Sequence, residues 1–250
     1  MRFLIITKKQ LMLGICALIA VIAVVIGSAT AFAGNDRKLP IYCVETEKRQ
    51  IAISFDAAWG NDDTQMLIDI LKEYNVPATF FVVGSWVDKY PESVKALSDA
   101  GHQVQNHSNT HPHMPQLSKQ QMRDELESCN SKIKAITGVC PTLLRPPYGD
   151  YDNALIETVD SINMKTIQWS VDSLDWKDYG ADNIVKTVLN HKNLKDGAII
   201  LMHNGAKYTK DALPRIIEGL KEKGYEIVPV SQIIYTDNYE INHAGEQIKK

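Results

Sequence analysis

Between residues 51 and 228, short apolar runs alternate with segments whose apolar residues recur every three or four positions. The runs cover 51–55, 78–83, 102–105, 142–145, 165–171, 198–202 and 225–228. Four to seven residues is strand length, and each run is predicted to be a strand. The intervening segments predict helices. Met66, Leu67, Ile70, Leu71 and Tyr74 make one apolar face, and Val94 and Leu97 belong to another that Gly101 ends. Ser118 and Gln121 form a capping box ahead of the stripe Met122, Leu126, Cys129, Ile133 and Ile136, which Gly138 stops. Leu213, Ile216, Ile217 and Leu220 make the last face, ended by Gly224. Seven strand–helix alternations predict an α/β fold with a parallel sheet. Roughly 200 residues is the lower end for a closed β/α barrel, with a doubly wound open sheet as the rival.

The first 34 residues break this pattern. Arg2, Lys8 and Lys9 precede an apolar run from about Leu11 to Gly27, and Ala31-Phe32-Ala33 offers a small-x-small cleavage pattern. Residues 1–34 are read as a secretory signal or a membrane anchor, leaving the remainder extracytoplasmic. Residues 35–50 are read as a linker, 51–235 as a catalytic domain and 236–250 as a C-terminal tail. Removing the three basic residues from the 27 leaves 24 against 30 acidic ones, a formal charge of −6. That balance suggests no nucleic-acid partner and suits a wall glycan. Four cysteines are too few for a disulfide scaffold. Cys129 falls on a helix stripe as a small core residue, and export leaves a Cys129–Cys140 bridge open.

Polar residues stand where the predicted strands end. Asp56 follows the first, Asn106 and His107 the third, Arg145 ends the fourth, Asp172 follows the fifth and His203 the sixth. In a parallel β/α fold those carboxyl ends converge on one face, where active sites form. His107 and His111 are four apart, so a helical turn would set both imidazoles to one side, able to share a metal. Arg145 before Pro146-Pro147-Tyr148-Gly149 can hold a carboxylate bidentately. Asp172 and Asp175 lie beside Trp176, and His203 sits at the mouth of a buried strand.

In order and spacing, Ser54-Phe55-Asp56, His107-x-x-x-His111, Arg145-Pro-Pro-Tyr148, Asp172-x-x-Asp175-Trp176 and Leu201-x-His203 resemble the five motifs of the polysaccharide deacetylase family. This is the NodB homology domain, carbohydrate esterase family four. The resemblance spans roughly Ile51 to Ile234. The stretch 55–61 resembles the sporulation-associated branch. The family implies a distorted seven-stranded (β/α) barrel. It also implies a divalent metal, zinc or sometimes cobalt, on His107 and His111. Asp56 would be the general base, Arg145 would orient it, and the backbone near Tyr148 would help hold the oxyanion. Asp175 would tune the acid His203, while Trp176 and Leu201 line the acetyl pocket. The family usually carries a second aspartate, the third metal ligand, where this chain has Ala57. Three readings follow: Asp56 becomes the ligand, Asp62 or Asp63 reaches in, or the metal is held weakly. The expected reaction is removal of acetyl from an N-acetylated sugar of a cell-wall glycan. The alternative is a glycan-binding protein without turnover.

Overall fold

The computed structural model describes residues 37–250. The predicted export segment, 1–34, lies outside the described residues. The strands are β1 (Cys43–Val44), β2 (Gln50–Ala57), β3 (Thr79–Val82), β4 (Gln103–Asn106), β5 (Leu143–Leu144), β6 (Lys165–Thr166), β7 (Val171–Asp172), β8 (Ile199–His203), β9 (Glu226–Ile227), β10 (Tyr239–Ile241) and β11 (Glu246–Lys249). The helices are α1 (Thr64–Glu73), α2 (Gly84–Lys89), α3 (Pro91–Asp99), α4 (Lys119–Thr137), α5 (Asn153–Ser161), α6 (Ala181–Leu189), α7 (Thr209–Glu222) and α8 (Val230–Ile233). The capping box at Ser118 and Gln121 forms as predicted, and Gly138 closes α4 in the left-handed region at φ 74°.

The main sheet runs β6-β5-β4-β3-β2-β8-β7, with β9 against the start of β2. Its ladders are parallel, as the alternation predicts, and it curls into the distorted barrel that the family resemblance implies. Along β2 the side chains alternate. Ile51, Ile53 and Phe55 pack into the layer under the helices, while Ala52 joins the barrel interior with Phe81, Leu143, Ile167 and Ile199. A third cluster, around Met114, Met122, Leu126 and Leu155, fills the space between α4 and α5.

Three expectations need correction. The run 165–171 is two strands, not one, and β6 and β7 lie at opposite edges of the sheet. Residues 167–170 cross the seam between those edges: Ile167 donates its amide to Leu144, and Ser170 donates to Ile199. The supposed linker fills the same seam. Ile41 donates to the Thr166 carbonyl at 2.9 Å and accepts from Gln168 at 2.7 Å, and Cys43 bridges Ala198. Ile41 and Val44 are fully buried. The supposed tail is equally part of the fold, because β11 pairs with β1 and with β10, and Gln247 ties both of its amide atoms to the backbone of Tyr235. The compact unit runs from Lys38 to Lys250. The short strands β1, β10 and β11 bury too few apolar side chains to show a period, so their sequences read as polar connections.

The cysteines follow the core reading, and the bridge left open is not made. Cys129 is a buried thiol donating to the Val82 carbonyl, and burial pushes its pKa up to about 12. Cys140 is exposed and unpaired, so no Cys129–Cys140 bridge forms.

Candidate active site

Asp56 and His203 are register partners on adjacent strands, which sets them side by side at the carboxyl end of the barrel. Asp56 is nearly buried and is fixed from below. Arg145 Nη1 donates to its Oδ1 at 2.9 Å. The contact is single, not bidentate, because the rest of the guanidinium is engaged elsewhere. Nη2 donates to Ser54 Oγ at 3.0 Å and to the Gln168 carbonyl, and Nε donates to the Ile167 carbonyl at 3.1 Å. Phe81 stacks beneath the guanidinium at 4.4 Å. Arg145 is fully buried and its donors are satisfied, so it holds Asp56 rigidly.

The two histidines do not lie on a helical turn. They flank a loop after β4 in which Ser108 (φ 67°) and His111 (φ 61°) are left-handed. The loop supplies its own supports. Asn106 Oδ1 accepts from the Ser108 amide, Ser108 Oγ accepts from the His111 amide, and Glu125 on α4 accepts from the amides of Asn109 and Thr110. These bonds bring the imidazoles together, ring centroids 4.9 Å apart. His107 Nδ1 lies 2.6 Å from the Arg145 carbonyl, which can only accept, so that nitrogen carries the proton and Nε2 presents its lone pair. Nε2 is 3.6 Å from Asp56 Oδ2. Burial lowers the pKa of His107, and it lowers that of His111 to about 4. Both rings are therefore neutral at neutral pH, as metal ligands must be.

His203 is held by Asp175. Asp175 Oδ1 accepts from Nδ1 at 2.7 Å, and Oδ2 accepts both the His203 amide, at 2.7 Å, and Thr209 Oγ1, at 2.6 Å. Burial opposes a charge on His203, but the hydrogen bond and charge of Asp175 outweigh it and raise its pKa. Left-handed residues Leu174 and Asp178 bracket the short turn that carries Asp175. With Ser108, His111 and Tyr148, they place five of the eight positive-φ non-glycine residues described on loops around this cleft, a concentration of backbone strain typical of functional sites.

The cleft encloses about 370 Å³ and is lined by Asp56, His107, His111, His203, Leu201 and several aromatic side chains. A cavity of about 570 Å³ at the opposite end of the strands, beside His102 and Ile227, holds no paired carboxylate and histidine. Every predicted site residue except Arg145 and Asp175 lines the cleft directly, and those two hydrogen-bond Asp56 and His203. Tyr148 is left-handed at φ 59°. The turn around it closes through the Gly149 and Asp150 amides, which leaves the Tyr148 amide out of the turn's own bonds. Trp59, Trp169 and Asp172 also line the cleft, and Thr209 braces Asp175. None of these four was assigned a role from sequence, although Trp59 and Asp172 lie inside quoted motifs.

Ala57 is fully buried in the main apolar cluster and offers no ligand. Asp63 does not replace it. Its carboxylate accepts from the Gly205 amide at 3.0 Å and from Asn204 Nδ2 at 3.1 Å, pinning the loop beyond His203. Burial raises its pKa, against the pull of the Gly205 bond. Asp62 is exposed. Among the described residues, no group of three or more His, Cys, Asp or Glu side chains stands ready to hold a metal. Two neutral imidazoles, ring centroids 4.9 Å apart, do fit a divalent ion.

Fold, motifs and cleft together define a polysaccharide deacetylase-type hydrolase. A family model described as "Polysaccharide deacetylase" matches residues 44–167. A peptidoglycan-N-acetylglucosamine deacetylase of Bacillus cereus is 31% identical over 214 residues, covering 84% of this chain and 77% of that one. The chain belongs to the polysaccharide deacetylase family, a family of de-N-acetylase hydrolases that also holds catalytically silent members. Peptidoglycan-N-acetylmuramic acid deacetylase PdaC of Bacillus subtilis is 37% identical over 190 residues, which cover 76% of this chain but 40% of that longer protein. Among solved structures, a CE4 family pseudoenzyme from Bacillus anthracis has a TM-score of 0.75 at 35% identity, covering 79% of this chain and 69% of that one. A mutant of the same pseudoenzyme is described as having restored enzymatic activity.

Proposed function

We propose that this protein removes acetyl groups from N-acetylated amino sugars of peptidoglycan, outside the cytoplasm, with the help of a divalent metal, zinc by preference. The single observation that carries the reading is the facing pair at the mouth of the barrel: an arginine-held carboxylate, Asp56, beside a carboxylate-held imidazole, His203. A protein that only bound sugar would need neither anchor. Relatives named for N-acetylglucosamine and N-acetylmuramic acid deacetylation support the substrate class. The resemblance of residues 55–61 to the sporulation-associated branch supports a role at the spore envelope.

His107 and His111 would hold the metal. When bound, it supplies a Lewis acid that polarises the amide carbonyl and acidifies water. Asp56, oriented by Arg145, takes the proton from the attacking water through Oδ2, the oxygen that Arg145 leaves free. The Tyr148 amide donates to the developing oxyanion. His203 then gives its Nε2 proton to the departing sugar amine, which is too basic to leave unprotonated. Asp175 keeps that proton in place by stabilising the charged ring. Leu201 and Trp176 give the acetyl methyl an apolar wall.

A second reading, glycan binding without turnover, rests on Ala57 and on the structural likeness to a pseudoenzyme. Mass spectrometry of N-acetylglucosamine oligomers incubated with zinc-supplied protein separates the two. The hydrolase yields free amines, whereas the binding protein leaves every acetyl in place.

A further inference from the structure

The geometry points to Trp59 as a sugar-stacking residue that holds the glycan unit next to the one being deacetylated. The inference rests on the proposed glycan-binding role of the cleft. Six large apolar side chains are exposed among the described residues. Three of them, Trp59, Tyr148 and Trp176, line this one cleft, and a fourth, Tyr179, follows Trp176 by three positions. Single exposed apolar residues need no explanation, but a group gathered at one opening does.

The exposure of Trp59 does not come from a loose loop. The residue is 61% exposed, yet the backbone from its carbonyl onward is clamped. The Gly60 carbonyl accepts from Trp86 Nε1 at 2.6 Å. The Trp59 carbonyl lies against Gly205, where a Cβ would approach it to 2.8 Å, and Gly205 is itself fastened by Asp63. Gly205 is left-handed at φ 88°, so a glycine is needed there on both counts. The indole and the His111 ring lie at 62° with centroids 5.7 Å apart, and Trp59 stays largely exposed where it lines the cleft.

A rigid indole plane suits the apolar C–H face of a pyranose ring, and its N–H can serve a sugar hydroxyl. The cleft of about 370 Å³ suits one sugar with its acetyl group. A platform on its rim has use only when the substrate extends beyond that sugar, so the occupant is a glycan chain. Trp59 is a positioning residue here and takes no part in proton transfer.

The test is equilibrium binding of a tetramer and a monomer of N-acetylglucosamine to zinc-supplied parent, Trp59→Ala and Trp59→Phe proteins, with zinc affinity measured alongside. Trp59→Ala should weaken tetramer binding about ten-fold, and Trp59→Phe should recover most of it. Monomer binding and zinc affinity should not change. Unchanged tetramer binding in Trp59→Ala overturns the assignment. So does a loss shared equally by the monomer and by zinc, which would make Trp59 a packing support for His111. A parent that binds neither sugar refutes the glycan reading itself, an outcome distinct from both.

Discussion

Asp175 grips His203 twice, through the ring Nδ1 and through the backbone amide, each at 2.7 Å. The two bonds set both the tautomer and the position of the ring, leaving Nε2 to the cleft. The same carboxylate raises the pKa of His203, so the protonated acid persists above the ordinary histidine range. Removing the charge reverses this. Asp175→Asn should move the basic limb of the pH–rate profile to lower pH and cut turnover, with zinc still bound. An unmoved basic limb would detach Asp175 from the acid.

His107 and His111 make a different prediction, about metal and not about proton transfer. His107→Ala and His111→Ala should each lose at least about ten-fold in zinc affinity while keeping the fold, His107→Ala at a cost of about 1–3 kcal/mol because it strips the buried Arg145 carbonyl of its donor. Equal zinc affinity in the double variant would remove both from the metal site.

The boundary of the folded unit can be tested by shortening the chain. Protein beginning at Lys38 should fold. Protein beginning at Arg49 loses Ile41, Val44 and the β1–β11 pairing, and should be destabilised by several kcal/mol, since each buried aliphatic side chain contributes about 1.5–3 kcal/mol. Equal melting temperatures would return these residues to the role of a linker.

How legible was this in the sequence? The strands that carry chemistry were clear because each has apolar residues on both faces and ends at a polar residue, as Ile51 to Asp56 and Ile199 to His203 show. The seam was not, because Ile41 and Ile167 make single isolated bridge contacts that leave no period. The His107–His111 pair was found by spacing, but for a wrong local reason: its geometry comes from Ser108, Asn106 and Glu125, not from a helix. Asp63 shows the opposite failure. Its place at a helix start admitted a metal role, but the bonds that decide its function come from Asn204 and Gly205, about 140 residues away.

Asp63 accordingly predicts a loss of order, not of metal. Asp63→Ala strips the Gly205 amide and the Asn204 side chain of their acceptor and should cost about 1–3 kcal/mol of stability, with zinc affinity unchanged. A fall in zinc affinity without a fall in melting temperature would make it a ligand after all.

Ala57→Asp sets a buried carboxylate against a completed ligand set. Without metal, its melting temperature should fall, because the charge is desolvated in the main apolar cluster. Zinc should then raise the melting temperature of the variant by more than it raises that of the parent, through tighter binding to the folded state. An equal zinc shift in both proteins would show that the parent lacks no ligand.

In the proposed function, Asp56 and His203 form a working acid–base pair in a metal-assisted deacetylase despite Ala57. Acetate release from N-acetylglucosamine oligomers, followed across a zinc titration of the parent and of His203→Ala, tests it most directly. The parent should release acetate in a zinc-dependent, saturable manner, and His203→Ala should be slower by roughly a hundred-fold or more while binding zinc as tightly. A parent that binds zinc and oligosaccharide at saturation and releases no acetate would contradict it.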